Sequence, residues 1–176
     1  MRILIIAVER SGGYQLTKWI SWEMGCKPIH EPTMTPQSIE GENTVVKYLV
    51  GEVQNNKNID LNNWDKIIGL MRMDTYDSAI SQTRCLEKNK WHDPYEISEK
   101  WIQNNLELIN KNEKVIKSNI DFLQGIKEIQ LFTTYEGIYH SGEDIQKIKN
   151  YLGFKNTKYE YLLDNKNRLR KKNQMI

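Results

Sequence analysis

The sequence predicts an α/β fold: a mostly parallel sheet held between two layers of helices. Three observations predict it. Residues 2–8 form a nearly unbroken run of branched apolar residues, the pattern of a strand buried on both faces. Glu9-Arg10-Ser11-Gly12-Gly13 follows as a tight turn and leads into residues at helical spacing, a strand–glycine turn–helix unit. Beyond it, apolar strand-like runs alternate with helical periods, as in parallel sheets with helical crossovers.

In chain order, Arg2 to Val8 is the first strand. Leu16, Trp19, Ile20 and Met24 then fall on one helical face, and Gly25 stops that helix. Cys26 to Asn43 holds three of the four prolines and no clear period, so it is expected as a long loop with one turn of helix at most. Thr44 to Val50 is the second strand, and Gln54 to Asn63 an exposed, Asn-rich connection. Lys66 to Met71 is the third strand, ending at Arg72. Tyr76, Ala79, Ile80 and Thr83 line one face of the next helix. Asp93-Pro94-Tyr95-Glu96 supplies an N-cap, a proline at the first helical position and a capping-box acid. The buried stripe of that helix is expected at Ile97, Trp101, Ile102, Leu106 and Ile109. Ile129 to Thr134 is the fourth strand. Ser141-Gly142-Glu143-Asp144 caps a last helix carrying Ile145, Ile148, Tyr151 and Leu152, which stops at Gly153. Residues 164–176 form a basic, flexible tail, and residues 1–176 make one domain by length.

Composition narrows the function classes. Lys and Arg number 25 against 23 acidic residues, so no basic excess marks a nucleic-acid coater. The longest apolar run, Ile3 to Val8, is too short to span a bilayer, and it stops at Glu9-Arg10 without a cleavage signal. Cys26 and Cys85 are too few and too far apart for a disulfide framework or a zinc site, which fits a reducing cytoplasm. The heavy use of Lys, Asn and Ile matches an AT-rich genome such as many phages carry.

In a parallel sheet, ligands bind beyond the carboxyl ends of the strands. That rule brings three turns to one edge: Glu9 to Gly13, Arg72 to Thr75, and Thr134 to Glu136. At the first, backbone N–H groups at a helix N-terminus offer an anion site, with Arg10 adding positive charge. A plain glycine-rich connection is the other reading of this turn. It is not a Walker A loop, because the early glycine and the lysine–hydroxyl pair are missing, which disfavours a nucleotide or sugar kinase. At the second turn, Arg72 and Ser81, nine positions on, are able to converge on a second phosphate. In the alternative, Arg72 pairs with Asp74 or Asp77 and Ser81 lies on the helix surface.

These residues carry a resemblance. Ile6 to Leu16, with Glu9-Arg10-Ser11-Gly12-Gly13-Tyr14 at its centre, resembles the phosphosulfate loop of the sulfotransferase superfamily, PRSGTT-x-L. Arg72-Met73-Asp74 to Ala79-Ile80-Ser81, with Trp91 beyond, is most similar to the bacterial trehalose sulfotransferase branch (R-x-D-K-x-x-Q-A-V-S, then W). Thr134-Tyr135-Glu136 resembles the family's strand-end Tyr-Glu, and Ile145 to Gly153 its terminal helix. The resemblance runs, in order, to about residue 154.

It implies a P-loop-like sulfotransferase fold and transfer of a sulfuryl group from 3′-phosphoadenosine 5′-phosphosulfate. The acceptor is a hydroxyl of a small molecule, sugar or glycan, and 3′-phosphoadenosine 5′-phosphate is left as product. Arg10 and the N–H groups of Ser11, Gly12, Gly13 and Tyr14 would hold the 5′-phosphosulfate. Arg72 and Ser81 would hold the 3′-phosphate, and Tyr135 would lie by the adenosine. Glu31 is the candidate base, with His30 as its substitute, and Arg170 and Lys171 the candidate late cofactor clamp. No metal is required, no nucleic acid or membrane span is expected, and the chain is expected as a monomer or homodimer.

The family pattern also has departures. Glu9 stands where the family has proline; turned inward, its carboxylate would repel the anion. Gly13 and Tyr14 replace two hydroxyl residues, and Thr75 replaces a lysine. A noncatalytic nucleotide-binding or interaction protein on the same fold is the alternative.

Overall fold

A computed structural model describes residues 1–30, 43–56, 59–88 and 97–163. Its sheet has five strands: β1 (Arg2–Ala7), β2 (Pro28–His30), β3 (Thr44–Leu49), β4 (Lys66–Met71) and β5 (Leu131–Thr134). They lie in the order β2-β3-β1-β4-β5, and every pairing is parallel. The described helices are α1 (Gly13–Glu23), α2 (Val50–Asn55), α3 (Thr75–Lys88), α4 (Glu99–Asn104), α5 (Leu106–Gly125), α6 (Tyr135–Tyr139) and α7 (Glu143–Leu152).

The apolar run of β1 accounts for its central place. Leu4, Ile6 and Val8 point to one face and Ile3, Ile5 and Ala7 to the other, and all are buried. The first set packs with Ala79 and Ile80 of α3 and with Ile109, Ile116 and Leu123 of α5. The second packs with Leu16, Trp19 and Ile20 of α1, Ile138 of α6, and Ile148 and Leu152 of α7. Full burial of each such side chain is worth about 2 kcal/mol, so a strand apolar on both faces is stable only between two helical layers. Because all five strands run the same way, their carboxyl ends share one edge.

The elements differ from expectation in instructive places. Pro28–His30, read as loop, is the edge strand β2, too short to show a period. The expected exposed connection after β3 begins inside the last turn of α2, at Gln54 and Asn55, and Ile59 within it is buried. The helix expected to begin at Asp93 has its cap outside the described residues. Within them, Ser98 caps α4 by accepting from the Trp101 N–H at 3.2 Å, and the helix is interrupted at Asn105 before α5 begins. The stripe therefore does not continue straight: Ile109 is buried on α5 but Leu106 is exposed. Helix α5 then runs on to Gly125, a length the sequence reading missed because Asn112 and Asn119 interrupt its apolar face. Tyr76 is also exposed, whereas Ala79, Ile80 and Thr83 are buried as expected. The fourth strand ends at Thr134 as expected but starts at Leu131, and Tyr135, directly after it, opens the short helix α6.

Both cysteines are free. Among the described residues, no helix is long and apolar enough to cross a membrane, and no cluster of His, Cys, Asp or Glu is arranged to hold a metal ion.

Candidate functional site at the carboxyl edge of the sheet

The loop from Val8 to Gly12 joins the central strand to α1. Two of its residues have left-handed backbone: Arg10 at φ 62° and Gly12 at φ 81°. For glycine this conformation is free of strain, but for arginine it costs about 1 kcal/mol. Gly12 is required for a second reason. A Cβ there would stand 2.5 Å from the Tyr139 ring, whose hydroxyl donates to the Gly12 carbonyl at 2.7 Å. Gly12 caps α1 without a side-chain bond, so the helix offers its first N–H groups at this edge.

Ser11 does not join them. It is buried, its hydroxyl donates to the Val8 carbonyl at 2.5 Å, and its N–H donates to the same oxygen at 3.3 Å. It closes the turn instead of facing a ligand. The expected set of loop donors narrows to Gly12, Gly13 and Tyr14.

Glu9 is turned away from the helix N-terminus. Its Oε2 accepts from Asn119 Nδ2 of α5 at 2.9 Å, and its carbonyl accepts from the Ser78 hydroxyl at 3.2 Å. The expectation that it either repels an anion or pairs with a lysine is replaced by this neutral partner. That gives Asn119 a purpose on the mostly apolar face of α5.

Arg10 is tied to α3: its Nε donates to Ser81 Oγ at 3.0 Å. Ser81 therefore steadies the loop arginine. Arg72, expected to share a phosphate with Ser81, turns toward the end of β5. Its guanidinium lies 4.5 Å over the Tyr135 ring, with Nε 3.9 Å from Glu136 Oε1 and Nη2 paired with Asp77. The Asp77 alternative is thus realised. Glu136 binds the β4 turn as well, accepting from the N–H groups of Met73 at 3.1 Å and Asp74 at 3.2 Å.

The two arginine sites are linked through an aromatic run. The Tyr135 and Tyr139 rings are 4.8 Å apart, so contacts pass from Arg72 through Tyr135 and Tyr139 to Gly12. All three turns placed at one edge by topology do meet there.

Sequence reasoning missed Lys47. It lies in β3 opposite Ile5 of β1 and His30 of β2, and it is buried. Its Cδ would be 2.9 Å from a Cβ on Gly13, so only glycine lets the lysine stem lie against the start of α1. The signal was present as one charge inside the apolar run Val45-Val46-Lys47-Tyr48-Leu49, where a lysine is rarely buried without a partner or a task. If the lysine adds charge to the loop, Lys47→Met, which keeps the stem, weakens anion binding about tenfold with little change in stability. Titration and thermal melting of the same variant check both halves.

His30 ends β2 with its ring 4.4 Å from that of Tyr14, which places an imidazole beside the helix N-terminus. Glu31, Trp91, Arg170 and Lys171 lie outside the described residues. No protein-family model matches the chain, and no curated protein matches its sequence.

Proposed function

We propose that the chain is a small sulfotransferase-like protein that binds 3′-phosphoadenosine 5′-phosphosulfate at this edge and transfers its sulfuryl group to an acceptor hydroxyl. One observation carries the reading. The loop after the central strand presents Arg10 and a helix N-terminus while Asn119 draws its only carboxylate, Glu9, away.

The donor set suits an anionic ligand. Arg10, braced by Ser81, and the N–H groups of Gly12 and Gly13 would hold the 5′-phosphosulfate, with Lys47 behind Gly13. Arg72 would bind the 3′-phosphate, and Tyr135 would flank the nucleoside. When bound, the cofactor supplies the activated sulfuryl group and a phosphate leaving group. The chain's part is to neutralise the charge that gathers on that leaving group and to orient the acceptor. Arg10 and the N–H groups are fixed before the ligand arrives, so little reorganisation is needed. The proton of the acceptor hydroxyl goes to Glu31 or to His30, whose ring is held by Tyr14 at the same edge.

A noncatalytic nucleotide-binding protein is favoured by one specific feature. The Ser11 hydroxyl, a side-chain donor of the resembled loop, is spent on Val8. Titration with 3′-phosphoadenosine 5′-phosphate tests both readings, and a sulfuryl-transfer assay separates them. Saturable binding with one site per chain is expected, and Arg72→Ala should weaken it about thirtyfold, the loss of one charge-assisted contact. No binding at millimolar ligand overturns the reading. Binding without transfer to any sugar or small hydroxyl acceptor leaves the noncatalytic one.

A further inference from the structure

We infer that Asp77 occupies, in the free protein, the place of a ligand oxygen on Arg72, so that this subsite opens only to a phosphomonoester dianion. The inference rests on the reading of Arg72 as a phosphate ligand and adds a residue that sets its selectivity.

The walls of the subsite are already filled. The Tyr135 ring covers one face of the guanidinium, and Glu136 stands beside Nε with both oxygens engaged by the backbone of the β4 turn. The Arg72 side chain is only 14% exposed, whereas that of Asp77 is 55% exposed. Asp77 therefore sits at the mouth. Its main chain is fixed, because its N–H donates to Asp74 Oδ1 at 2.9 Å in the first turn of α3. Its carboxylate has Arg72 as its hydrogen-bond partner among the described residues. The side chain alone has to rotate into water to clear the subsite.

Charge then decides what enters. With Asp77 and Glu136 both facing one guanidinium, the cluster carries a net negative charge, and an added anion is repelled while Asp77 stays. A singly charged group offers Arg72 no more than the aspartate it displaces. A phosphomonoester near neutral pH carries a charge of about −1.5 to −2 and three acceptor oxygens, so it outcompetes a carboxylate. An exposed pair of this kind is weak, so displacement is feasible.

The experiment is calorimetric titration of wild type, Asp77→Asn, Arg72→Ala and the double variant. Adenosine 3′,5′-bisphosphate and adenosine 5′-monophosphate are the probes. Asparagine keeps the shape of the side chain, and Asp77→Ser serves as a second variant if the first melts early. Asp77→Asn is expected to tighten the bisphosphate about fivefold and to leave the monophosphate within about twofold. The gain should vanish in the Arg72→Ala background. An unchanged or weaker bisphosphate affinity overturns it while leaving the reading of the site intact. An equal gain for the monophosphate overturns it too, since that marks a general surface-charge effect. Silence of wild type and Asp77→Asn alike removes both the inference and the reading beneath it.

Discussion

Arg10→Gly is expected to leave the fold about as stable as wild type and to weaken 3′-phosphoadenosine 5′-phosphate binding about 100-fold, the upper end for a charge-assisted contact. The two effects have separate causes. Arg10 is held at φ 62°, which glycine adopts without strain. Relief of about 1 kcal/mol is offset by the greater freedom of glycine in the unfolded chain and by loss of the bond to Ser81. Stability should move by no more than about 1 kcal/mol in urea unfolding. Binding has no such compensation, because the guanidinium goes and the loop loses its anchor on α3. A structural arginine would behave differently: its removal would change stability and leave binding untouched. Unaltered affinity in Arg10→Gly therefore eliminates Arg10 as an anion ligand. Arg10→Ala, which keeps the strain, should be the less stable of the two variants.

Asp144→Ala should lower stability by about 3 kcal/mol, the cost of breaking a buried polar cluster. Asp144 is buried on α7, and its Oδ2 accepts from the Thr134 N–H at 2.8 Å and the Thr134 hydroxyl at 3.1 Å. Its Oδ1 takes Lys147 Nζ at 2.6 Å. Gly137 lies so close that a Cβ there would meet Oδ2 at 2.1 Å. This carboxylate fastens the end of β5 to α7 through Thr134, the residue that also caps α6, the helix carrying Tyr135, Glu136 and Tyr139. Loss of the fastening should therefore also weaken nucleotide binding. Burial by itself would raise the Asp144 carboxyl; the hydrogen bonds from Lys147 and Thr134 outweigh it and hold the group below its ordinary value. A depressed folded value means that the stabilisation is complete above the unfolded aspartate value. It is lost as pH falls through the folded one. Wild type should thus lose stability on acidification through that window, and Asp144→Ala should lose less. Unfolding curves of both proteins across the acid range check the sign. Parallel losses would show that Asp144 is not the group responsible.

Much of the fold was legible because its signals are local. The β1 run, the glycine turn, the Lys66–Met71 strand and the α7 caps depend on residues a few positions apart, and each lies where the pattern put it. What failed was equally physical. β2 has three residues and no room for a period, and Asn112 and Asn119 broke the stripe of α5 because they serve partners on other elements. Asn112 donates to Thr83 at 2.8 Å, and Asn119 donates to Glu9 across 110 positions of sequence.

By itself the sequence determined the α/β class, the parallel sheet and the meeting of three turns at one edge. Hydrophobic periodicity and glycine placement act over single turns and strands, and topology follows from their order. Only the tertiary structure decided what each polar side chain at that edge does. It turned Glu9 to Asn119, spent Ser11 on Val8, gave Ser81 to Arg10 and Asp77 to Arg72, and laid Lys47 against Gly13. Side-chain partners are chosen in space, among groups that burial and charge force to satisfy one another, and Glu9–Asn119 and Arg10–Ser81 lie 110 and 71 positions apart, beyond the reach of any local pattern.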